Sequence, residues 1–237
     1  MLYVKFPSHI LSVFLIKNVK DGMNTFKTER TRVRRIPERG HYDKEIIYPI
    51  IDEALYCHVG INHNGSPVVI PTIHARTNDT LYIHGSAASR LLKSIPGENN
   101  ICVTITLVDG IVLARSAFHH SLNYRSVVIF GKGEIVEDSQ KKWNALKAVS
   151  DHLVPNRWDD VREPNQKELD ATTVISISLG EASAKIRTGP PGDDDADYAL
   201  PIWAGVLPTE LKKGTLIPDP VLPDSIGIPD YLKKGSL

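Results

Sequence analysis

The sequence has 237 residues, 41% of them hydrophobic, which is enough for one large domain or two small ones with a real core. Its 28 basic and 28 acidic side chains balance. No global field would therefore attract nucleic acid or an anionic membrane, and we expect neither as a partner. Two cysteines, Cys57 and Cys102, cannot build a disulfide framework, which indicates a reducing compartment and a cytoplasmic protein.

The amino-terminal residues include an apolar run, HILSVFLI, with lysines on both sides. The run is too short to span a bilayer, and no small-residue cleavage site follows it. We interpret residues 1–22 as an extension that is disordered or not native, with organelle targeting as the alternative. We expect one domain over residues 23–207 and an extended, proline-rich tail over residues 208–237.

Helical spacing of apolar residues after Asp43 predicts an amphipathic helix with Asp43 as its N-cap. Short apolar strands follow, and the turns Asn64-Gly65 and Asn78-Asp79 predict hairpins between them. A helix of about three turns is predicted to start near Ser86.

A further hairpin is predicted with its turn at Asp109-Gly110, followed by a strand over SVVIFGKGEIVE. A long helix capped by Asp138 or Ser139 comes next, and TTVISISLGEASAKI is typical of a final strand. About six strands joined mostly by hairpins predict a mainly β fold with flanking helices, in which a six-stranded, largely antiparallel sheet closes into a barrel.

The stretch LYIHGSAASRLL places a strand end directly before a helix. Free backbone N–H groups at such a helix start, with Arg90 nearby, suit a phosphate, although a serine-rich helix start is more often only a cap. Pro71 and Thr72 are predicted to lie on the neighbouring strand. A proline inside an apolar strand indicates an edge or bulge, where a flat ligand can lie.

The segment SAFHHSLNYRSVVIFG concentrates polar residues ahead of an apolar strand. His119 and His120 are adjacent, so on a strand they would point to opposite faces and could not share a metal ion. HxH, HExxH, GxSxG and GxGxxG patterns do not occur. We therefore predict neither a metal site nor a serine hydrolase, and the residues assign no catalytic group.

Seven blocks occur in order between about Arg32 and Pro208: ERGHYD, IIDEALYCHVGI, IPT, LYIHGSAASRLL, VDGIVLARSAFHHSLNYRSVVIFG, NRWDDVR and WAGVLP. In these blocks the chain closely resembles the flavin-nucleotide-binding proteins related to pyridoxamine 5'-phosphate oxidase, including the nitroimidazole-resistance branch. The resemblance implies an FMN-binding split β-barrel that works as a homodimer, with two flavin sites at the subunit interface.

The resemblance also implies positions for the flavin. One strand would contact the isoalloxazine ring, a strand-to-helix turn would hold the phosphate and ribityl chain, a polar strand would approach the flavin, and a late tryptophan would come across the dimer. In that order, the residues are Ile70, Pro71 and Thr72; His84, Gly85, Ser86, Ser89 and Arg90; Asn123, Tyr124, Arg125 and Ser126; and Trp203.

Two departures from the oxidase pattern argue against vitamin B6 oxidase activity. VVIPTIHA replaces the basic strand motif that helps to hold phosphate, and the late paired arginine motif is not found after Trp203. The leading hypothesis is an FMN-dependent oxidoreductase that reduces a small molecule, with NADH or NADPH as the donor. The alternatives are a flavin-binding or carrier protein without turnover, and a haem-binding split barrel in which His119 or His120 could take part.

Overall fold

A computed structural model describes residues 25–95 and 100–233, so the expectations for residues 1–22 lie outside the described residues. The helices in these ranges are α1 (Lys44–Glu53), α2 (Arg90–Ser94), α3 (Ser139–Leu153), α4 (Gln166–Ala171) and α5 (Asp230–Lys233). The strands are β1 (Gly40–His41), β2 (Tyr56–His63), β3 (Ser66–Thr77), β4 (Thr80–Ser86), β5 (Ile101–Leu113), β6 (Ser121–Gly131), β7 (Gly133–Ile135), β8 (Thr172–Ser178), β9 (Ala182–Arg187) and β10 (Gly205–Pro208).

These strands form one antiparallel sheet in the order β1-β9-β6-β5-β2-β3-β4-β8-β7, and β10 pairs with β5. The β2–β3 turn has Asn64 and Gly65 at positive φ, and the β3–β4 turn has Asn78 at φ 52°, as expected for tight hairpins. In the described part of the chain β1 and β7 do not pair, so the sheet stays open. The predicted mainly β, largely antiparallel split-barrel fold is confirmed, but the predicted closure of the sheet is wrong.

The strand count is ten rather than six. The predicted strand SVVIFGKGEIVE is divided between β6 and β7, and the predicted final strand is two strands, β8 and β9. Strands β1 and β10, of two and four residues, are too short for a period-two pattern to reveal. The predicted turn at Asp109-Gly110 is wrong, because β5 continues through this point with a register shift between Val108 and Gly110.

The main core lies between the sheet and α1. Along β2, Cys57, Val59 and Ile61 are buried, while the residues between them are more exposed. Ile47 and Ile51 of α1 are fully buried in the same cluster. A smaller cluster joins α3 to β8 through residues such as Ala145 and Val174. The Asp43 N-cap position is confirmed, and Asp138 caps α3 by accepting from the Lys141 amide at 2.7 Å.

Two histidines hold the carboxyl end of α1. His74 Nε2 donates to the Ile51 carbonyl at 2.9 Å, and His152 Nε2 donates to the Ala54 carbonyl at 2.8 Å. The two rings lie 4.9 Å apart between centroids. These bonds tie α1 to β3 and α3, because they satisfy carbonyl groups that the helix end leaves free.

The chain between β10 and α5 has no helix or strand and contains two turns, closed by the Leu222 amide on the Asp219 carbonyl and the Ile226 amide on the Pro223 carbonyl. Thr209 attaches its start to β5, with its amide on the Asp109 carbonyl at 3.2 Å and its hydroxyl on the Val108 carbonyl at 2.6 Å. Its far end is held by the Tyr231 hydroxyl, which donates to Asp160 at 2.7 Å. Among the described residues, none of the helices combines the length and apolar character that crossing a membrane requires.

Candidate functional site

The hydrogen-bonded ladder between β3 and β4 ends inside both strands. β4 pairs with β3 only as far as His74 and Ile83. Beyond that point, Ile70–Thr72 pair only with β2, and His84–Ser86 pair only with β8. The two strands part here, so the residues predicted to contact a ring and those predicted to hold a phosphate lie on the two sides of one gap. We call this gap the β3–β4 opening.

The β3 residues that do not pair with β4 have properties typical of a strand edge. Pro71 is exposed and has no N–H to donate to a neighbouring strand. Ile70 packs against the main core, and Thr72 is half-buried. The Thr72 hydroxyl makes only a long contact of 3.4 Å with the Ile73 carbonyl. This side of the opening therefore offers apolar surface and the Thr72 hydroxyl, which has no short hydrogen bond to a described residue.

The turn after β4 has fewer free amides than its sequence predicts. The Ala87 amide donates to the Ala171 carbonyl at 3.0 Å, the Ala88 amide to Ser86 Oγ at 3.1 Å, and the Ser89 amide to the Ser86 carbonyl at 2.8 Å. The following helix, α2, has only five residues rather than three turns. An anion at this turn would therefore be held by side chains more than by backbone amides.

Two side chains at the turn are available for such an anion. Arg90 is exposed, and its side chain makes no hydrogen bond or salt bridge with any described residue. The Ser89 side chain does not cap α2. Arg90 is thus an exposed cation without an ion-pair partner among the described residues, and a guanidinium of this kind can bind a phosphate group.

His84 adds an unsatisfied polar atom on the same side of the opening. Its Nδ1 is buried and has no hydrogen-bond partner in the described structure. Burial also lowers the pKa of His84, so the ring is neutral at neutral pH. A neutral imidazole can donate from one nitrogen and accept at the other. A ligand with hydrogen-bonding groups would satisfy this atom.

Arg125 in the predicted polar strand is fully used by the protein. It contacts Glu53 through Nη1 and, at 2.8 Å, through Nη2, and its Nε and Nη2 donate to Asp109 at 3.0 and 2.8 Å. The hydrogen bonds with Glu53 and then Asp109 raise the pKa of Arg125. Both partners are far from it in sequence, so the strand pattern gave no sign of them. Arg125 therefore links β6 to the last residue of α1, Glu53, and to Asp109 of β5.

The other predicted residues of β6 differ in their bonding. Asn123 is buried, accepts from Arg187 and donates to the Gly189 carbonyl at 3.1 Å. The Ser126 hydroxyl donates to the Lys185 carbonyl at 3.3 Å. Of the four predicted residues, Asn123 to Ser126, Tyr124 alone has a side chain that makes no hydrogen bond to a described residue.

The sheet separates these residues from the opening within one chain. Two strands, β5 and β2, lie between β6 and β3. Trp203 stands just before β10 and is 70% exposed. The structure therefore brings the residues of β3 and β4 together, whereas the β6 residues and Trp203 lie on other strands and loops.

The two adjacent histidines do not lie on a strand. His119 ends a short 3-10 helix, Ala117–His119, and β6 starts only at Ser121, so the argument from opposite strand faces does not apply. His119 Nε2 lies 3.4 Å from Asp194, and the ligand atoms of these two residues and Asp197 all lie within 4.8 Å of one another. Sequence reasoning missed this cluster because its members are far apart in the chain. Such exposed groups do not by themselves define a metal site.

Comparisons with known proteins point to one family. A family model described as pyridoxamine 5'-phosphate oxidase matches residues 43–186. A comparison with curated protein sequences finds no match. The flavocytochrome Anf3 from Azotobacter vinelandii is a similar solved structure, with 40% identity and a TM-score of 0.84 over 90% of this chain and 98% of that one.

Two further solved structures are similar. The FAD and heme binding protein from Mycobacterium smegmatis has 31% identity and a TM-score of 0.79, over 82% of this chain and 96% of that one. A protein from Bacteroides thetaiotaomicron named for 5-nitroimidazole antibiotic resistance has 28% identity and a TM-score of 0.53, over 62% and 86% of the two chains. Together with the family match over more than half of the sequence, these similarities show that the chain belongs to the split-barrel family related to pyridoxamine 5'-phosphate oxidase.

Proposed function

We propose that this protein binds a flavin nucleotide at the β3–β4 opening and acts as a flavin-dependent oxidoreductase on a small molecule. The observation that carries the proposal is the set of unsatisfied groups around the opening: the exposed Arg90, the buried Nδ1 of His84 and the apolar edge at Pro71. The family match and the flavin named in two similar structures support the same ligand.

The residues at the opening fit the parts of a flavin nucleotide. Arg90 and Ser89 would hold the phosphate, Ile70–Thr72 would lie against the ring, and His84 would bond to a polar edge or the ribityl chain. When bound, a flavin supplies hydride or single-electron transfer. The side chains of the protein then have to bind and orient the flavin and substrate and limit the access of water, and the proposal requires no nucleophile.

We also propose a homodimer with the flavin sites at its interface. Trp203 would complete the site from the second subunit, because within one chain it lies on another element than the opening. NADH or NADPH would bind transiently in the open cleft, since the sequence has no dinucleotide fingerprint.

The first experiment identifies the chromophore. Purified protein is expected to be yellow, and acid is expected to release a flavin that mass spectrometry identifies. We propose FMN, as the family resemblance implies, and FAD is the competing outcome because a similar structure is named for it. A colourless protein that binds neither flavin would overturn the proposal. Anaerobic reduction with NADH or NADPH then tests the oxidoreductase activity, and a flavin that neither donor reduces supports a carrier.

The second experiment tests the phosphate contact. Arg90→Ala should weaken flavin binding by about 1.5–3 kcal/mol, because a charged hydrogen bond to the phosphate is lost. Lys93→Ala is the matched control, since Lys93 is also an exposed cation on α2. Equal affinities for the two variants in a fluorescence titration would show that the phosphate is held elsewhere.

Haem is a second candidate ligand, because two similar structures are named as a flavocytochrome and as an FAD and heme binding protein. His119 has Nδ1 free of hydrogen bonds to described residues, and His120 uses only Nδ1, which lies 3.1 Å from the Ser116 carbonyl. An absorbance spectrum with a Soret band would support haem. If the band remains in both His119→Ala and His120→Ala, these histidines do not bind it.

A further inference from the structure

Arg187, at the end of β9, is a nearly buried cation without a carboxylate partner. Only 9% of the residue is exposed. Its guanidinium donates to the Asn123 side-chain oxygen and, at 3.3 Å, to the Pro190 carbonyl, and both acceptors are neutral. Among the described residues, no carboxylate lies within salt-bridge distance of it. A buried charge in proteins is normally balanced by an opposite charge, and here that charge is missing.

A second arginine approaches from the neighbouring edge of the sheet. Arg39 ends a short 3-10 helix, Pro37–Arg39, which packs against β9. The next residue, Gly40, pairs with Lys185 of β9, two residues before Arg187. The Arg39 side chain makes no hydrogen bond or salt bridge within the described residues. Besides burial, which is the main cause, the charge of Arg39 lowers the pKa of Arg187.

The backbone that presents Arg39 is strained. Ile36 has φ 55° and ψ 63°, a left-handed conformation that is rare for a β-branched residue and further disfavoured before a proline. Strain of this kind persists only where the surrounding structure enforces it, and it is common at ligand sites. The strained turn holds Arg39 against β9, although its positive charge is repelled by that of Arg187.

The charged residues nearest in sequence to Arg39 and Arg187 also lack ion pairs with described residues. Arg35 and Lys185 form no salt bridges with described residues, and Glu38, the acidic residue next to Arg39, forms none either. On the other side of Arg187, β6 places Tyr124 directly opposite, and the Tyr124 hydroxyl is unused. The position thus combines two guanidinium groups and a phenol, with no competing carboxylate bonded to any of them.

We propose that Arg39 and Arg187, with Tyr124, bind a phosphate group of a small molecule at the β1–β9 edge of the sheet. Two forked guanidinium donors match the several oxygens of a phosphate, and its negative charge would remove the repulsion between them. This site is separate from the β3–β4 opening, because β6, β5 and β2 lie between β9 and β3. The source of the group is either free phosphate or the phosphate of a nucleotide.

The test uses the full-length protein as purified, with any flavin that it carries. Inorganic phosphate, adenosine monophosphate and adenosine are titrated at constant ionic strength, and binding is followed by calorimetry and by the midpoint of thermal unfolding. We expect saturable binding of inorganic phosphate or of adenosine monophosphate, and none of adenosine. Tighter binding of the nucleotide would identify a nucleotide as the source, and equal binding would identify free phosphate.

Variants locate the site. Arg39→Gln should weaken phosphate binding roughly tenfold or more, because one charged hydrogen-bonding group is lost. Arg34→Gln is the matched control, since Arg34 lies in the same segment but pairs with Glu29, and its binding should equal that of the parent. Arg187→Lys, which keeps the charge but loses the fork, tests the second group without leaving Asn123 beside a neutral side chain.

Two results would overturn the proposal. Equal weakening by Arg39→Gln and Arg34→Gln would mean that phosphate responds only to the overall charge of the segment. Loss of phosphate binding in Arg90→Gln, with binding intact in Arg39→Gln, would place the phosphate at the turn after β4. That second result would leave the proposed flavin site standing, so the two proposals fail separately.

Discussion

The β3–β4 opening and the polar run of β6 contain similar residue types in different bonding states. On β6, Arg125 has all three guanidinium nitrogens bonded to Glu53 and Asp109, and Asn123 has both side-chain atoms bonded. At the opening, Arg90 has no partner among the described residues, and neither does the buried Nδ1 of His84. The same chemistry therefore stabilises the fold in one region and is available to a ligand in the other.

The difference has a thermodynamic basis. A polar group that already has good partners must give them up to bind a ligand, so its net gain is small. A buried group without a partner carries an unfavourable desolvation cost that a ligand can remove. Mutations in the two regions should therefore separate into those that change the free energy of unfolding and those that change ligand affinity.

His74 lies where the pairing of β3 with β4 ends, and we expect it to have the largest effect on the free energy of unfolding. It is fully buried in the last β3–β4 pair before the opening, and burial lowers its pKa from 6.5 to about 4. The unfolded chain takes up a proton on this group as pH falls below 6.5, whereas the folded protein does not until about pH 4. The stability that this group contributes is therefore complete above pH 6.5 and is lost as pH falls towards 4, by about 3 kcal/mol.

The measurement is the free energy of unfolding in urea at several values between pH 7 and pH 4. His74→Gln is the comparison, because glutamine does not titrate but can still donate to the Ile51 carbonyl. We expect the variant to have lower stability at pH 7 and a much flatter dependence on pH. Parallel curves for the two proteins would show that other groups cause the acid sensitivity.

The next largest effect is expected on β6, where the polar side chains already have partners. Arg125→Gln should lower the free energy of unfolding by about 2 kcal/mol, because it removes the mostly buried cation that the Asp109 carboxylate faces and that also joins β6 to Glu53. Flavin affinity should change little if Arg125 acts only within the fold. Arg162→Gln is the control, since Arg162 forms an exposed pair with Glu168 whose loss should hardly change stability.

An opposite result for Arg125→Gln would change its assignment. If unfolding is unaffected while flavin binding is lost, the Glu53 and Asp109 contacts would be incidental, and Arg125 would belong to the ligand site as the family resemblance implies. Urea unfolding and a flavin titration on the same preparation distinguish these cases.

Local sequence signals predicted the local structure well. The hairpins at Asn64-Gly65 and Asn78-Asp79 are confirmed, because positive φ is a property of the turn residues themselves. The same rule failed at Asp109-Gly110 because Gly110 serves another purpose. A Cβ atom there would lie 2.9 Å from the Val206 side chain of β10, so this glycine permits the close approach of a distant strand.

In the candidate site, too, features set by local sequence were predicted and those set by distant residues were not. The closeness of the residues around Pro71 and His84 follows from one hairpin register, which a short stretch of sequence sets. The bonding of Arg125 depends on Glu53, 72 residues away, and that of His119 on Asp194, on the far side of β6 to β9 in sequence. Contacts of this range have no local signal, so sequence reasoning treated bonded and free polar residues alike.

The smallest expected effect tests the opening itself. Thr72→Val removes a hydroxyl whose only contact with a described residue is the 3.4 Å approach to the Ile73 carbonyl. The free energy of unfolding should therefore change by less than about 0.5 kcal/mol. If the hydroxyl bonds to the bound flavin, affinity should fall by about 1 kcal/mol, roughly fivefold, in a fluorescence titration.

Thr77→Val is the matched control for this change, because Thr77 lies on the same strand but in the half that stays paired with β4. It should leave flavin affinity unchanged. A similar loss of affinity in both variants would mean that β3 influences the flavin through its overall packing. A loss in Thr72→Val alone would place the ligand where the ladder between β3 and β4 ends, since the two threonines differ mainly in whether a strand or the opening lies beside them.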